Sequence, residues 1–152
     1  MIIALGSDHA GYRLKDILKV YIESLGHEVT DVGCHCEDSV DYPDYAFEVC
    51  NKVIKGEVER GILICGTGIG MSIAANKIPG IRCGLVHDMF SAGLTREHNN
   101  TNVLAMGERV IGPGIAQEIV KIWLDTSFSG GVRHSNRIQK INEIESRYIP
   151  QS

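Results

Sequence analysis

The chain of 152 residues is 43% hydrophobic and 22% charged, the size and mix of one domain spanning 1–152, with little room for a second. Fifteen Lys and Arg against 19 Asp and Glu leave a net charge of −4, which excludes a broad field for nucleic acid or an anionic membrane. Any phosphate must be held by a few placed cations. No apolar run approaches transmembrane length, the start Met-Ile-Ile-Ala-Leu-Gly lacks signal-peptide features, and an odd five cysteines point to a reducing cytoplasm.

Short apolar runs alternate with helical patterns along the chain. Ile2–Gly6 reads as a first strand, and Ser7-Asp8-His9-Ala10-Gly11 leads into a helix. Leu14, Ile17, Leu18, Tyr21, Ile22 and Leu25 form that helix's i, i+3, i+4 stripe, which stops at Gly26. Exposed N–H groups at such a helix start favour an anion, so Asp8 and His9 are candidate site residues. The plain alternative is an N-cap followed by an idle surface histidine. Glu28–Val32 is the second strand, and the Cys34-His35-Cys36 after it lacks the ligand spacing of structural zinc sites. Asp44–Lys55 is a helix that holds Cys50 as a small core residue.

Gly61–Cys65 is the third strand and runs into Cys65-Gly66-Thr67-Gly68-Ile69-Gly70, followed by a helix at Met71–Asn76. Glycines at alternate positions let backbone N–H groups converge on negative charge. The loop is not GxxxxGK[ST], and Met71 stands where GxGxxG needs its third glycine, so a nucleotide site is disfavoured. A thiol before such a cradle can serve as base or nucleophile, whereas a bare strand-end cysteine is ordinary filling. A redox-sensing role for Cys65 would need a resolving thiol. The nearest in sequence, Cys83, lies inside the next strand pattern, Arg82–Leu85.

Met89–His98 is a further helix, and Arg96-Glu97-His98-Asn99-Asn100-Thr101-Asn102 crowds polar groups before the last strand, Asn102–Met106. His98 can exchange a proton near neutral pH and Asn99 can hydrogen-bond a hydroxyl or oxyanion, the alternative being an ordinary helix-end loop. Arg109 follows that strand, and Ile115–Leu124 is a helix. Past Gly130-Gly131, the helix His134–Tyr148 sets Ile138, Ile141, Ile144 and Tyr148 on one face. Arg133 and Arg137, at i, i+4 spacing beside His134, can grip a phosphate or form a solvated helix face. Apolar strands joined by helical crossovers imply an α/β fold with a parallel sheet covered on both faces and a site beyond the strands' carboxyl ends. Because the tail lies beyond a complete-looking domain, its helix reads better as reaching a second subunit than as packing on its own.

Read together, these motifs resemble the type B ribose-5-phosphate isomerases, in the family shared with galactose- and allose-6-phosphate isomerases. The resemblance runs to about Arg147 through Gly6–Gly11, Asp41-Tyr42-Pro43, Ile64–Gly68, Ile73–Lys77, His98-Asn99 and Thr101–Ala105. It implies a Rossmann-like three-layer αβα sandwich with a five-stranded parallel sheet, working as a homodimer or homotetramer with shared active sites. The implied reaction interconverts D-ribose 5-phosphate and D-ribulose 5-phosphate through a cis-enediolate, without metal or cofactor. By the same resemblance Cys65 is the base, the Gly66, Gly68, Ile69 and Gly70 backbone is the anion hole, and His98, aided by Thr67, opens the ring. Asp8, Tyr42 and Asn99 match sugar contacts, and His9, Arg109, Arg133 and Arg137 match phosphate contacts, some of them from the partner subunit. Relatives with a glutamate base carry it where this chain has Met71, so the chain looks like the cysteine type. One departure is Val132, which lengthens the Gly-Gly-Arg stretch. A six-carbon sugar phosphate is the alternative substrate, and a non-catalytic phosphate- or nucleotide-binding module is the alternative of another class.

Overall fold

The computed structural model describes residues 1–149, so the last three residues of the expected 1–152 domain lie outside the described part. Five strands, β1 (Ile2–Ser7), β2 (Glu28–Gly33), β3 (Arg60–Cys65), β4 (Cys83–Leu85) and β5 (Val103–Gly107), form one sheet in the order β2-β1-β3-β5-β4. Every pairing is parallel. Helices α1 (Tyr12–Ser24), α2 (Tyr42–Ile54), α3 (Ile69–Ala75) and α4 (Met89–Glu97) are the crossovers, and α5 (Pro113–Asp125) and α6 (Val132–Ser146) follow β5.

Side-chain alternation divides the core between the two sheet faces. Ile3, Leu5, Ile62, Ile64, Leu104 and Met106 pack with Leu14, Leu18 and Ile22 of α1 and with Ile119, Val120 and Trp123 of α5. Ala4, Leu63, Val103 and Ala105 on the opposite face meet Val49 and Cys50 of α2 and Met71 and Ala75 of α3. This is the three-layer αβα arrangement. No helix among the described residues is long and apolar enough to cross a membrane.

The five strands fall within one residue of their expected ends, but four helices begin two residues early, at Tyr42, Ile69, Pro113 and Val132. Pro43 and Pro113 sit in first turns, where a missing N–H costs nothing and a fixed φ suits the helix. The α1 stripe is also narrower than expected. Leu14, Leu18 and Ile22 are buried, whereas Ile17 is 40% exposed and Lys15 is fully buried. Lys15 Nζ donates to both Asp31 oxygens on β2, at 2.9 and 2.8 Å, and lies 3.0 Å from Asp16.

Burial alone would raise the Asp31 pKa, but the Lys15 ammonium and the Gly33 N–H overcome it and hold the carboxyl below its usual 3.8. A depressed folded-state pKa means that Asp31 contributes stability above the unfolded value and loses it as pH falls through the folded one. Asp31→Asn strands a buried ammonium with only the half-exposed Asp16 beside it. Urea titration at pH 7 should show a loss of about 3 kcal/mol, the low end for breaking a buried pair. The deficit should shrink below about pH 4, where wild type loses the same interaction.

Candidate active site

Turns at the carboxyl ends of β1, β3 and β5 gather one set of candidates. Asp8, 6% exposed, accepts the N–H groups of Ala10 (2.9 Å) and Gly11 (3.1 Å) on Oδ1, so it shapes the turn into α1. His9 Nδ1 accepts the Val40 N–H at 3.2 Å; its proton is therefore on Nε2, available as a donor. His9 and Arg109 line a pocket of about 270 Å³ with Arg13, Glu37 and Glu108. Arg13 is paired with Glu37 at 2.7 Å, and Glu108 accepts the Leu14 N–H in the first turns of α1 at 2.9 Å. Among the described residues, the pocket's His9 and Arg109 form no ion pair with a carboxylate, unlike Arg13. Glu108 as a cap for α1 was not visible in sequence, because 94 residues separate it from Leu14.

Cys65 ends β3, 5% exposed, with Sγ 3.0 Å from the Gly68 N–H that donates to it. Gly68 holds φ +77°, turning the chain back over the thiol, and the Ile69 N–H reaches Thr67 Oγ1 at 3.3 Å. Two site side chains cover the loop. The Tyr42 ring lies so close to Gly70 that a Cβ there would be 2.5 Å from Tyr42 Cζ, and the Arg109 guanidinium and Cδ lie 3.4 Å from where a Gly66 Cβ would stand. The turn after β5 is stitched to the same loop by Glu108 N–H to Cys65 O at 2.9 Å and Arg109 N–H to Gly66 O at 3.0 Å. The structure thus brings together Tyr42, Cys65, Gly66, Thr67, Gly68, Ile69, Gly70 and Arg109.

The other thiols differ in kind. Burial pushes Cys50 up to about 12 and raises Cys83 as well, so both stay protonated. Cys34 is buried and donates to the carbonyl of the exposed Cys36 within its own loop.

His98, Asn99, Arg133 and Arg137 are not part of this cluster. His98 and Asn99 follow α4, just before β5 begins at Val103, whereas Cys65 pairs with Gly107 at its end. Four residues of strand put roughly 13 Å between those levels of the sheet. Arg82, ahead of β4, holds this loop with Nε to Asn99 O at 3.0 Å and Nη2 to Asn100 O at 2.8 Å. Arg96 adds bonds to Asn100 Oδ1 at 3.0 Å and to Thr101 O, and is a buried scaffold residue, not a ligand. The first turn of α6 joins them there, its His134 ring stacked on His98 at 4.2 Å and 11°. That stack across 36 positions had no sequence signal beyond the placing of His134 between two arginines. The two groups of candidate residues therefore lie at opposite ends of the strands of one chain.

The Ribose/Galactose Isomerase family model matches residues 3–141. Ribose-5-phosphate isomerase B of Escherichia coli (strain K12) is 48% identical, covering 95% of this chain and 97% of its own. A Bacillus subtilis (strain 168) protein named provisionally as a sugar phosphate isomerase, YwlF, is 62% identical over 98% of this chain and 100% of its own. The D-erythrulose-4-phosphate isomerase of Pectobacterium atrosepticum is 43% identical, covering 94% of each chain. Among solved structures, Clostridium thermocellum ribose-5-phosphate isomerase B superposes with a TM-score of 0.96 at 50% identity, covering 98% of this chain and 100% of that one.

Proposed function

The chain belongs to the ribose/galactose isomerase family, and on that premise we propose that its carboxyl-edge cluster is the proton-transfer half of an aldose–ketose isomerase site. The reaction interconverts D-ribose 5-phosphate and D-ribulose 5-phosphate, in pentose phosphate metabolism. The observation that carries this reading is the Cys65 thiol, met by the Gly68 N–H at 3.0 Å in a loop that Tyr42 and Arg109 cover.

Cys65 as thiolate removes the C2 proton of the open aldose, leaving a cis-enediolate whose charge rests on O1 and O2. The loop's N–H groups stabilise that charge where it develops. The same thiol returns the proton to C1, the O2 proton passes to O1, and the ketose results. His9 Nε2–H and Arg109 grip the phosphate, while Asp8 and Tyr42 touch the sugar. This route requires no metal.

His98, with Thr67, opens the ring, Asn99 contacts the sugar, and Arg133 and Arg137 complete the phosphate grip. Since His98, Asn99 and α6 stand at the other end of their own strands, these groups are supplied by a second copy. The exposed Ile141, Ile144 and Tyr148 of the C-terminal segment support that contact. A homodimer, or a homotetramer built from it, thus holds shared sites. Five free cysteines support a cytoplasmic setting.

Solvent-deuterium incorporation tests the reaction. Ribose 5-phosphate in D₂O should give ribulose 5-phosphate labelled at C1, and an unlabelled, unconverted sugar would refute it. Comparing kcat/KM across erythrulose 4-phosphate, ribose 5-phosphate and allose 6-phosphate should show ribose 5-phosphate highest. Repeated over a dilution series, specific activity should fall as the copies separate.

A further inference from the structure

Gly107 is where the catalytic loop rests on the sheet. A Cβ there would lie 2.6 Å from Thr67 Cα and C, so Thr67 sits directly on the glycine backbone. The two residues after it donate to the carbonyls of Cys65 and Gly66. The position of the Gly107 backbone therefore sets the height of the loop that carries the base and the anion hole.

The last paired residues between β4 and β5 are Leu85 and Ala105, so β4 stops short of the end of its neighbour. The buried Gly107 N–H is met instead by a side chain, His87 Nε2, at 2.9 Å. Resting on the reading of the Cys65–Gly70 loop as the reaction site, we propose that His87 is a positioning residue: it anchors Gly107, and through the Gly107–Arg109 turn it holds the Cys65–Thr67 loop at its working height. Accepting that bond places the imidazole proton on Nδ1 and requires the ring to be neutral. Burial lowers the pKa of His87 against the opposing pull of Asp88, so the ring keeps its acceptor at neutral pH.

The test compares wild type, His87→Ala and His87→Gln in the ribose 5-phosphate assay, with kcat and KM read separately and thermal melting and the Gly107 amide NMR signal recorded alongside. Gln carries Oε1 the same number of bonds from Cβ as Nε2 of His, so it can accept the Gly107 N–H. The alanine variant should lose about tenfold in kcat at unchanged KM, the scale of a small misplacement of reacting groups, and its Gly107 amide signal should move. The glutamine variant should recover both. Wild-type kcat in the alanine variant would overturn the inference, as would a kcat loss shared by the glutamine variant despite a restored Gly107 signal. So would a kcat loss that disappears once corrected for unfolded protein. A wild-type protein that turns over no ribose 5-phosphate would instead sink the reading of the site, an outcome distinct from failure of the His87 variants.

Discussion

Cys65→Ala should lower kcat by roughly 10³-fold, within the range that a positioned general base contributes, while ribulose 5-phosphate still binds. The physical case rests on what alanine leaves in place. The Gly66–Gly70 backbone, Tyr42 and Arg109 all remain, and the pocket lined by His9 and Arg109, the proposed phosphate grip, does not include Cys65. What disappears is the proposed base, the Sγ assigned to shuttle a proton between C1 and C2. Cys65→Ser is the sharper variant, because its hydroxyl can still accept the Gly68 N–H and preserve the loop. Serine should nonetheless be nearly inactive, since its hydroxyl scarcely ionises near neutral pH. Calorimetric titration with ribulose 5-phosphate and a thermal melt separate lost chemistry from lost binding or fold. Near-wild-type turnover in the alanine variant would falsify the assignment of the base.

Gly68→Ala should cost about 10- to 100-fold in kcat, because it shifts the donor to the proposed base by up to the roughly 1 Å that costs 100-fold. Two effects combine at this residue. Its φ of +77° is strained for any side chain, and a Cβ would stand 2.7 Å from both Leu85 Cδ1 and the Met106 carbonyl carbon. Leucine can turn aside, but the Met106 backbone belongs to β5, where it pairs with Ile64 of the central strand β3. The loop must therefore lift, taking the Gly68 N–H away from Cys65. Strain and contact together should reduce unfolding free energy by about 2 kcal/mol. Gly114→Ala is the matched control, with nothing within 4 Å of its new Cβ, and should stay within about 0.5 kcal/mol of wild type with full activity. Steady-state kinetics and urea titration on the pair decide the matter, and equal behaviour of the two variants would show that the Gly68 loop is not under geometric constraint.

Much of the fold was legible because strand and helix formation here follows short-range patterning. β1, β3 and β5 are brief aliphatic runs, and all five strands lie within a residue of their expected ends. Helix starts were less legible at Tyr42 and Pro113, where proline looks like a boundary but serves as a first-turn residue. The α1 stripe misled at Ile17 because hydrophobic spacing cannot report that Asp31 on β2 offers a buried carboxylate to Lys15. The candidate site was legible in the same unequal way. Cys65 and its glycines form one contiguous loop, so the spacing of the residues already implied the cradle.

By itself the sequence determined the alternation of strands and helices along the chain and the glycine loop behind Cys65. These depend on residues within one or two turns of each other, where propensity and backbone geometry act directly. Only the tertiary structure decided which end of the strands each group occupies. The strand order β2-β1-β3-β5-β4 and the return path of α4 carry His98 and Asn99 away from Cys65, and the packing of the α6 first turn sets His134 on His98. The bond from Gly107 to His87 has the same origin. Such contacts join residues tens of positions apart, and they are fixed by how strands pair and layers stack, which no local pattern encodes.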